Sequence, residues 1–249
     1  MWNGGSGRPA GRTNWTFARA GAALLAVLLL ATGRPAAADD ITAADLAAEP
    51  FGPVAGDFVE GPILAKWQGV REAMAAEAAV LATCRTAPLL CPSPAARDLI
   101  ALAERARGLT GLARAGEINR SINLDIRPTP DLDRHGIEDV WSSPLATLAA
   151  HAGDCEDYAI AKLAALREAG VPAADLRLVI LREGLDDHAV AAVRIDGRWR
   201  VLDNRRLVML EDSRFGRGRP LFVLSEDGVR RYPDEPQVVA TLAVVQPYF

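Results

Sequence analysis

Gly153-Asp154-Cys155-Glu156-Asp157-Tyr158-Ala159-Ile160-Ala161-Lys162 is the stretch on which the fold of this sequence turns. Gly153-Asp154 interrupts the pattern before it. From Cys155 to Glu168 the apolar residues Ile160, Leu163, Ala164 and Ala165 then recur at helical spacing, and Gly170 ends the run. A cysteine is thereby placed in the first turn of a helix, where unpaired backbone N–H groups and the positive end of the dipole favour a thiolate.

Downstream the period changes. Leu176 to Leu181 reads as a strand, and so does His188 to Ile195. Asp196-Gly197 is a strong hairpin turn, Arg198 to Asp203 the returning strand, and Leu221 to Leu224 a further strand. Upstream the pattern is helical: Ile63 to Ala82, then Ser93-Pro94 opening a helix that runs to Gly108. A turn or two follows through Leu112 to Ile118, and a short helix through Pro144 to His151. Helices, one more apolar helix and then an antiparallel sheet make an α+β fold rather than alternating βαβ units. No repeat of 20–50 residues is visible.

The hairpin gives the cysteine its partners. With the turn at Asp196-Gly197, His188 and Asp203 are expected to be cross-strand neighbours with side chains on one face. Facing the helix start, they would complete a Cys155-His188-Asp203 triad, in which thiolate attacks, imidazole shuttles the proton and carboxylate fixes the tautomer. Each residue alone has a plainer reading: a buried cysteine as a small hydrophobe, a structural histidine, a turn-forming aspartate. It is their order, with one hairpin joining two of them, that favours chemistry. For the oxyanion the default donor is the Cys155 backbone N–H, with the Trp141 indole as a candidate; Asn204 could instead bond locally.

Asp154, Glu156 and Asp157 crowd a thiol that should be anionic, and like charges raise its pKa. A hard cation such as calcium, bound through Asp154 and Glu156, would neutralise them. The competing reading is that acids simply suit a helix N-terminus.

Trp141-Ser-Ser-Pro144, the Gly153–Lys162 block, Asp187-His188-Ala-Val and Trp199-Arg-Val-Leu-Asp-Asn204 together resemble the bacterial transglutaminase-like cysteine peptidases, over residues 60–230. That family includes the LapG-type periplasmic proteases that release biofilm adhesins. The resemblance implies a papain/transglutaminase-like core, with N-terminal helices and a nucleophile helix packed on an antiparallel sheet. Cys155, His188 and Asp203 would be the triad, and peptide cleavage the main activity. It also implies calcium dependence through the acids at 154 and 156, and it admits an inner-membrane regulatory protein as partner. A transamidase or amidase would use the same triad, and a peptide-binding module could carry it as a vestige. The segment around His188, the Cys84/Cys91 pair and the Ser-Ser-Pro after Trp141 depart from the adhesin-releasing pattern, so the substrate does not carry over with the fold.

The remaining features bound the protein's setting. Half of the 249 residues are hydrophobic and about a quarter charged, which argues against disorder and against a multi-span membrane protein. Arg8, Arg12 and Arg19 precede an apolar run from Ala20 to Ala31 and then Ala36-Ala37-Ala38. This reads as a secretory signal peptide over residues 1–38, cleaved near Ala38, with the mature protein in the periplasm; an uncleaved anchor is the alternative. Residues 39–58 read as a loosely ordered segment and 59–249 as the peptidase domain. Losing the leader removes four arginines and no acid, leaving 24 basic against 32 acidic residues, a charge that repels nucleic acid. Cys84 and Cys91 bracket a short loop and are expected to form a local disulfide, two free thiols being the other option. Cys155 is left as the odd thiol.

Overall fold

The computed structural model describes residues 49–233 apart from 53, 55–57 and 217. The leader at 1–38 and the stretch 39–48 lie outside the described residues. Helix α1 (Pro62–Thr86) leads through a 3-10 turn at Pro88–Leu90 to α2 (Pro94–Arg107). A Cys84–Cys91 disulfide closes that connection. Ser93 caps α2 by accepting from the Ala96 N–H at 3.2 Å, with Pro94 in the first turn where no N–H is needed.

Helix α3 runs Gly111–Asp125, a full turn and more beyond the Leu112–Ile118 expected. Its later part is polar by sequence but buried by position. Asn119 is fully buried, and the Asn119 and Asn123 side chains donate to the carbonyls of Asp203, Arg206 and Leu207 at 2.8–3.1 Å. An apolar pattern cannot register a helix face that is completed by amide hydrogen bonds. Strand β1 (Arg127–Pro128), helix α4 (Asp131–His135), helix α5 (Pro144–Ala150) and strand β2 (Ala152–Gly153) follow, with β1 and β2 parallel.

Helix α6 spans Cys155–Glu168, as the motif predicts. After it come β3 (Leu176–Glu183), β4 (Asp186–Ile195), β5 (Arg198–Leu202), β6 (Leu210–Glu211), β7 (Arg219–Ser225) and β8 (Gly228–Arg231). They form one antiparallel sheet in the order β6-β5-β4-β3-β7-β8. Alternation along β4 divides the core. Ala189, Ala191 and Val193 belong to the cluster that holds the apolar residues of α6, while Val190 packs with Val179, Leu181, Val201 and Phe215 in a second cluster. The alanines on the first face and in α6 let helix and sheet approach closely.

The Asp196-Gly197 turn forms with both residues at positive φ, 51° and 75°, the geometry that matches strand twist in a two-residue hairpin. It closes Ile195 on Arg198, and the ladder ends at Ala191↔Leu202. Continued at the same offset, position 188 falls opposite 205, and 203 opposite 190. His188 and Asp203 are therefore not direct cross-strand neighbours, as the sequence suggested. They meet on the diagonal beyond the end of that ladder, with His188 Nε2 3.0 Å from Asp203 Oδ1.

Within the segment expected to be loosely ordered, residues 49–52 are tied to distant parts of the chain. Glu49 pairs with Arg177 at 2.6 Å, the Phe51 N–H donates to Asp212 at 2.8 Å, and the Tyr232 hydroxyl donates to the Pro50 carbonyl. Each partner lies more than a hundred residues away in sequence, beyond the reach of local composition.

Candidate active site

Asp154 stands at the N-cap position of α6 without a side-chain cap hydrogen bond, and Cys155 is the first residue of the helix. Gly153 sits so tightly against the helix that a Cβ there would lie 2.6 Å from the Asp157 side chain. The small residue is thus demanded by close approach. Asp157, fully buried, accepts from the Ser142 N–H at 2.8 Å and pairs with Arg134 of α4 at 2.6 Å. Burial raises its carboxyl to about 6, against the pull of Ser142 and Arg134. Of the three acids around the cysteine, this one is a strut: it ties α4 and the entry to α5 onto α6.

Cys155 is half-buried and is the free cysteine among the described residues. Its thiol donates to Glu156 Oε2 at 3.1 Å, and the Ala189 backbone on β4 hydrogen-bonds the sulfur. Burial, then the Glu156 charge, push the thiol well above its ordinary range; Ala189 pulls it down by less.

His188 and Asp203 are almost completely buried, at 1 % and 2 % exposure, and His188 Nε2 lies 3.0 Å from Asp203 Oδ1. The other ring nitrogen, Nδ1, is buried without a hydrogen-bond partner. Burial alone would raise the Asp203 carboxyl. Hydrogen bonds from His188 and from the Arg205 N–H (3.1 Å), with the nearby charges of both residues, outweigh it and hold the group below its usual range. Asn123 fixes the main chain here, donating to the Asp203 carbonyl at 2.9 Å.

Cys155 and His188 line one cleft of about 640 Å³, together with Ile63, Lys66, Trp141 and Ile180. The Trp141 indole N–H, a candidate oxyanion donor from the sequence, donates to Asp139 at 3.1 Å. Asn204 does not fulfil the local role considered for it: its side-chain oxygen is buried without a partner.

The acid side of the cleft gains a member that the sequence did not single out. One carboxylate oxygen each from Asp131, Asp154 and Glu156 lie within 4.8 Å of one another. Asp131 arrives from the first turn of α4, where its Oδ2 accepts the Val140 N–H. It stands 23 residues before Asp154, and no spacing rule relates the two. Asp131 Oδ1 and Asp154 Oδ1 are buried without a hydrogen bond, with His135 Nε2 standing 3.8 Å from the first. Burial raises the Asp154 carboxyl to about 8, with Glu156 as the next largest cause and then Asp131 and Asp157. Buried carboxylates without donors cost free energy that a hard, oxygen-seeking cation would offset. These three residues therefore fit a calcium ion.

Residues 78–214 match the sequence model of the bacterial transglutaminase-like cysteine proteinases, more than half of the chain. The chain belongs to that family. Solved structures that resemble this transglutaminase-like proteinase include LapG from Legionella pneumophila, 21% identical over 53% of this chain and 87% of that one, with a TM-score of 0.42. A calcium-bound form of the same protein is 20% identical over 53% and 87%, with a TM-score of 0.41. A protein described as a TGase is 16% identical over 43% of this chain and 30% of its own, with a TM-score of 0.34. No curated protein sequence matches. Membership makes the chain a cysteine peptidase of α+β fold, and the cleft at Cys155 its candidate active site. Among the described residues no helix is long and apolar enough to cross a membrane.

Proposed function

We propose that this peptidase hydrolyses peptide bonds of an exported protein through a triad of Cys155, His188 and Asp203. The observation that carries the reading is the buried His188–Asp203 pair at 3.0 Å, bordering the same cleft as a cysteine at a helix N-terminus. Asp203 holds the proton on His188 Nε2, which leaves Nδ1 as the base for the Cys155 thiol. The thiolate adds to the scissile carbonyl, with the Cys155 backbone N–H as the oxyanion donor. His188 then gives the proton to the leaving amine, and water, deprotonated by the same nitrogen, releases the acyl group and restores the thiol.

Asp131, Asp154 and Glu156 would hold calcium. When bound, the ion supplies positive charge that offsets these carboxylates and competes with the thiol for Glu156, favouring the thiolate. The remaining parts of the reading follow the family likeness: export to the periplasm, a cell-surface adhesin as substrate, and a regulatory protein of the inner membrane as partner.

The test is a comparison of cell-surface proteins released by cells carrying the wild-type chain or Cys155→Ala, with a fluorescent amine present. New N-termini that depend on Cys155 support the peptidase. Amine incorporation without cleavage would move the activity to transamidation, and identical profiles would point to a binding module.

A further inference from the structure

Lys162 lies two turns along α6 from Cys155, and Tyr158 is between them, so the three share one face of the helix. Lysine is among the residues least often found fully buried, yet Lys162 is 0 % exposed. Its Nζ donates to the Leu202 carbonyl at 3.2 Å, the last peptide of β5 before Asp203. The Tyr158 ring lies 5.8 Å from Nζ, close enough for a cation–π contact. A slot this dry would be filled at lower cost by methionine or leucine, because a buried ammonium without a countercharge is expensive.

The countercharge is Asp203. It acts on Lys162 from the end of β5, with His188 beyond it on β4 and the Tyr158 ring on the lysine's own helix. Burial lowers the ammonium to about 7, and Asp203 pulls it back upward. On the Asp203 side, His188 and Arg205 give the larger hold. Those two groups occupy Oδ1, however, whereas Oδ2 is buried with no hydrogen-bond partner. That oxygen is where a proton would settle if the surrounding positive charge were reduced.

We propose that Lys162 is a positioning residue for the reaction: its buried ammonium, pinned to the Leu202 carbonyl, keeps Asp203 ionised and aimed at His188. The inference rests on the triad reading above. Its effect on the thiol passes through Asp203 and His188, so it touches neither substrate nor sulfur.

The experiment is the pH profile of Cys155 alkylation by iodoacetamide, measured on full-length protein from pH 5 to pH 9. Lys162→Met is expected to fold at least as stably as wild type, while the acid limb of its profile moves up by about one unit, a tenfold loss of rate along that limb. Lys162→Gln keeps a donor for the Leu202 carbonyl without the charge and should move the limb in the same direction; it carries the test if the methionine variant does not fold. Lys162→Arg should restore the wild-type limb. In an Asp203→Asn background, Lys162→Met should add no further shift. Profiles of Lys162→Met or Lys162→Gln that superimpose on wild type, or move to lower pH, overturn the proposal. His188→Ala and Asp203→Asn are the controls. If they too leave the profile unchanged, the triad reading has failed; if they change it and the lysine variants do not, only the role of Lys162 has failed.

Discussion

The two sides of Cys155 treat negative charge in opposite ways. On the strand side, the Asp203 carboxylate is buried but met by His188 and the Arg205 N–H, and it stays in its charged form. On the helix side, Asp131, Asp154 and Glu156 converge with two oxygens that accept no hydrogen bond, and Asp154 is pushed up to about 8. Burial is common to both, so burial does not separate them. What separates them is whether the fold brings donors and positive charge to the carboxylate. On the first side protein donors meet the carboxylate at Oδ1; the second asks for a cation.

The largest expected effects fall on the strand side. Cys155→Ala or His188→Ala should remove at least about 10³-fold of peptidase activity, and Asp203→Asn should cost a comparable factor. Circular dichroism should remain native, and retention of activity by any of the three would break the comparison at its stronger half. Next comes the strut that separates Asp157 from its acidic neighbours. Arg134→Met strands a fully buried carboxylate and should cost about 3 kcal/mol in urea unfolding. A change under 0.5 kcal/mol would mean that Asp157 belongs with the unmet acids after all.

The helix side is probed by the metal. Calcium at a hundredfold excess over its Kd should stabilise the protein by about 2.7 kcal/mol, read as a rise in Tm, and Asp131→Ala or Asp154→Ala should abolish the response. The pH dependence has a definite sign. The Asp154 carboxyl is raised above its unfolded value, so the folded state binds its proton more tightly. Stability in chelator should therefore be highest near pH 4 and fall as pH rises through about 8. Calcium should stabilise more at pH 8 than at pH 5, and a flat difference would remove the cluster as the binding site. The smallest effect lies away from both sides. The Cys84–Cys91 bond closes a short loop, so Cys84→Ser/Cys91→Ser should cost about 2 kcal/mol of stability and leave the alkylation rate of Cys155 unchanged.

Much of the site was legible because its parts are local. A Gly-Asp break before an apolar periodic run marks the start of α6, and with it the placement of Cys155. Asp-Gly between two β-type runs marks the hairpin that carries His188 and leads to Asp203. The register was harder. A two-residue turn pairs 195 with 198, so the histidine and aspartate meet only diagonally, across a twist that one-dimensional counting does not resolve. The α3 extension escaped for a related reason: its inward face is partly amide, and its partners are backbone carbonyls 80 or more residues away.

The sequence by itself determined the family, the α+β order of elements, the cysteine at its helix start and the odd thiol left once Cys84 and Cys91 are joined. These are properties of nearest neighbours along the chain, where periodicity, capping and turn chemistry act. Only the tertiary structure decided which charges are answered. Asp131 joins Asp154 and Glu156 because α4 packs beside the start of α6, and Asp157 leaves that group because Arg134 comes with the same helix. Lys162 becomes a buried cation because β5 closes over it. Electrostatic energy depends on distance through a low-dielectric interior, and that distance is set by packing rather than by position in the chain.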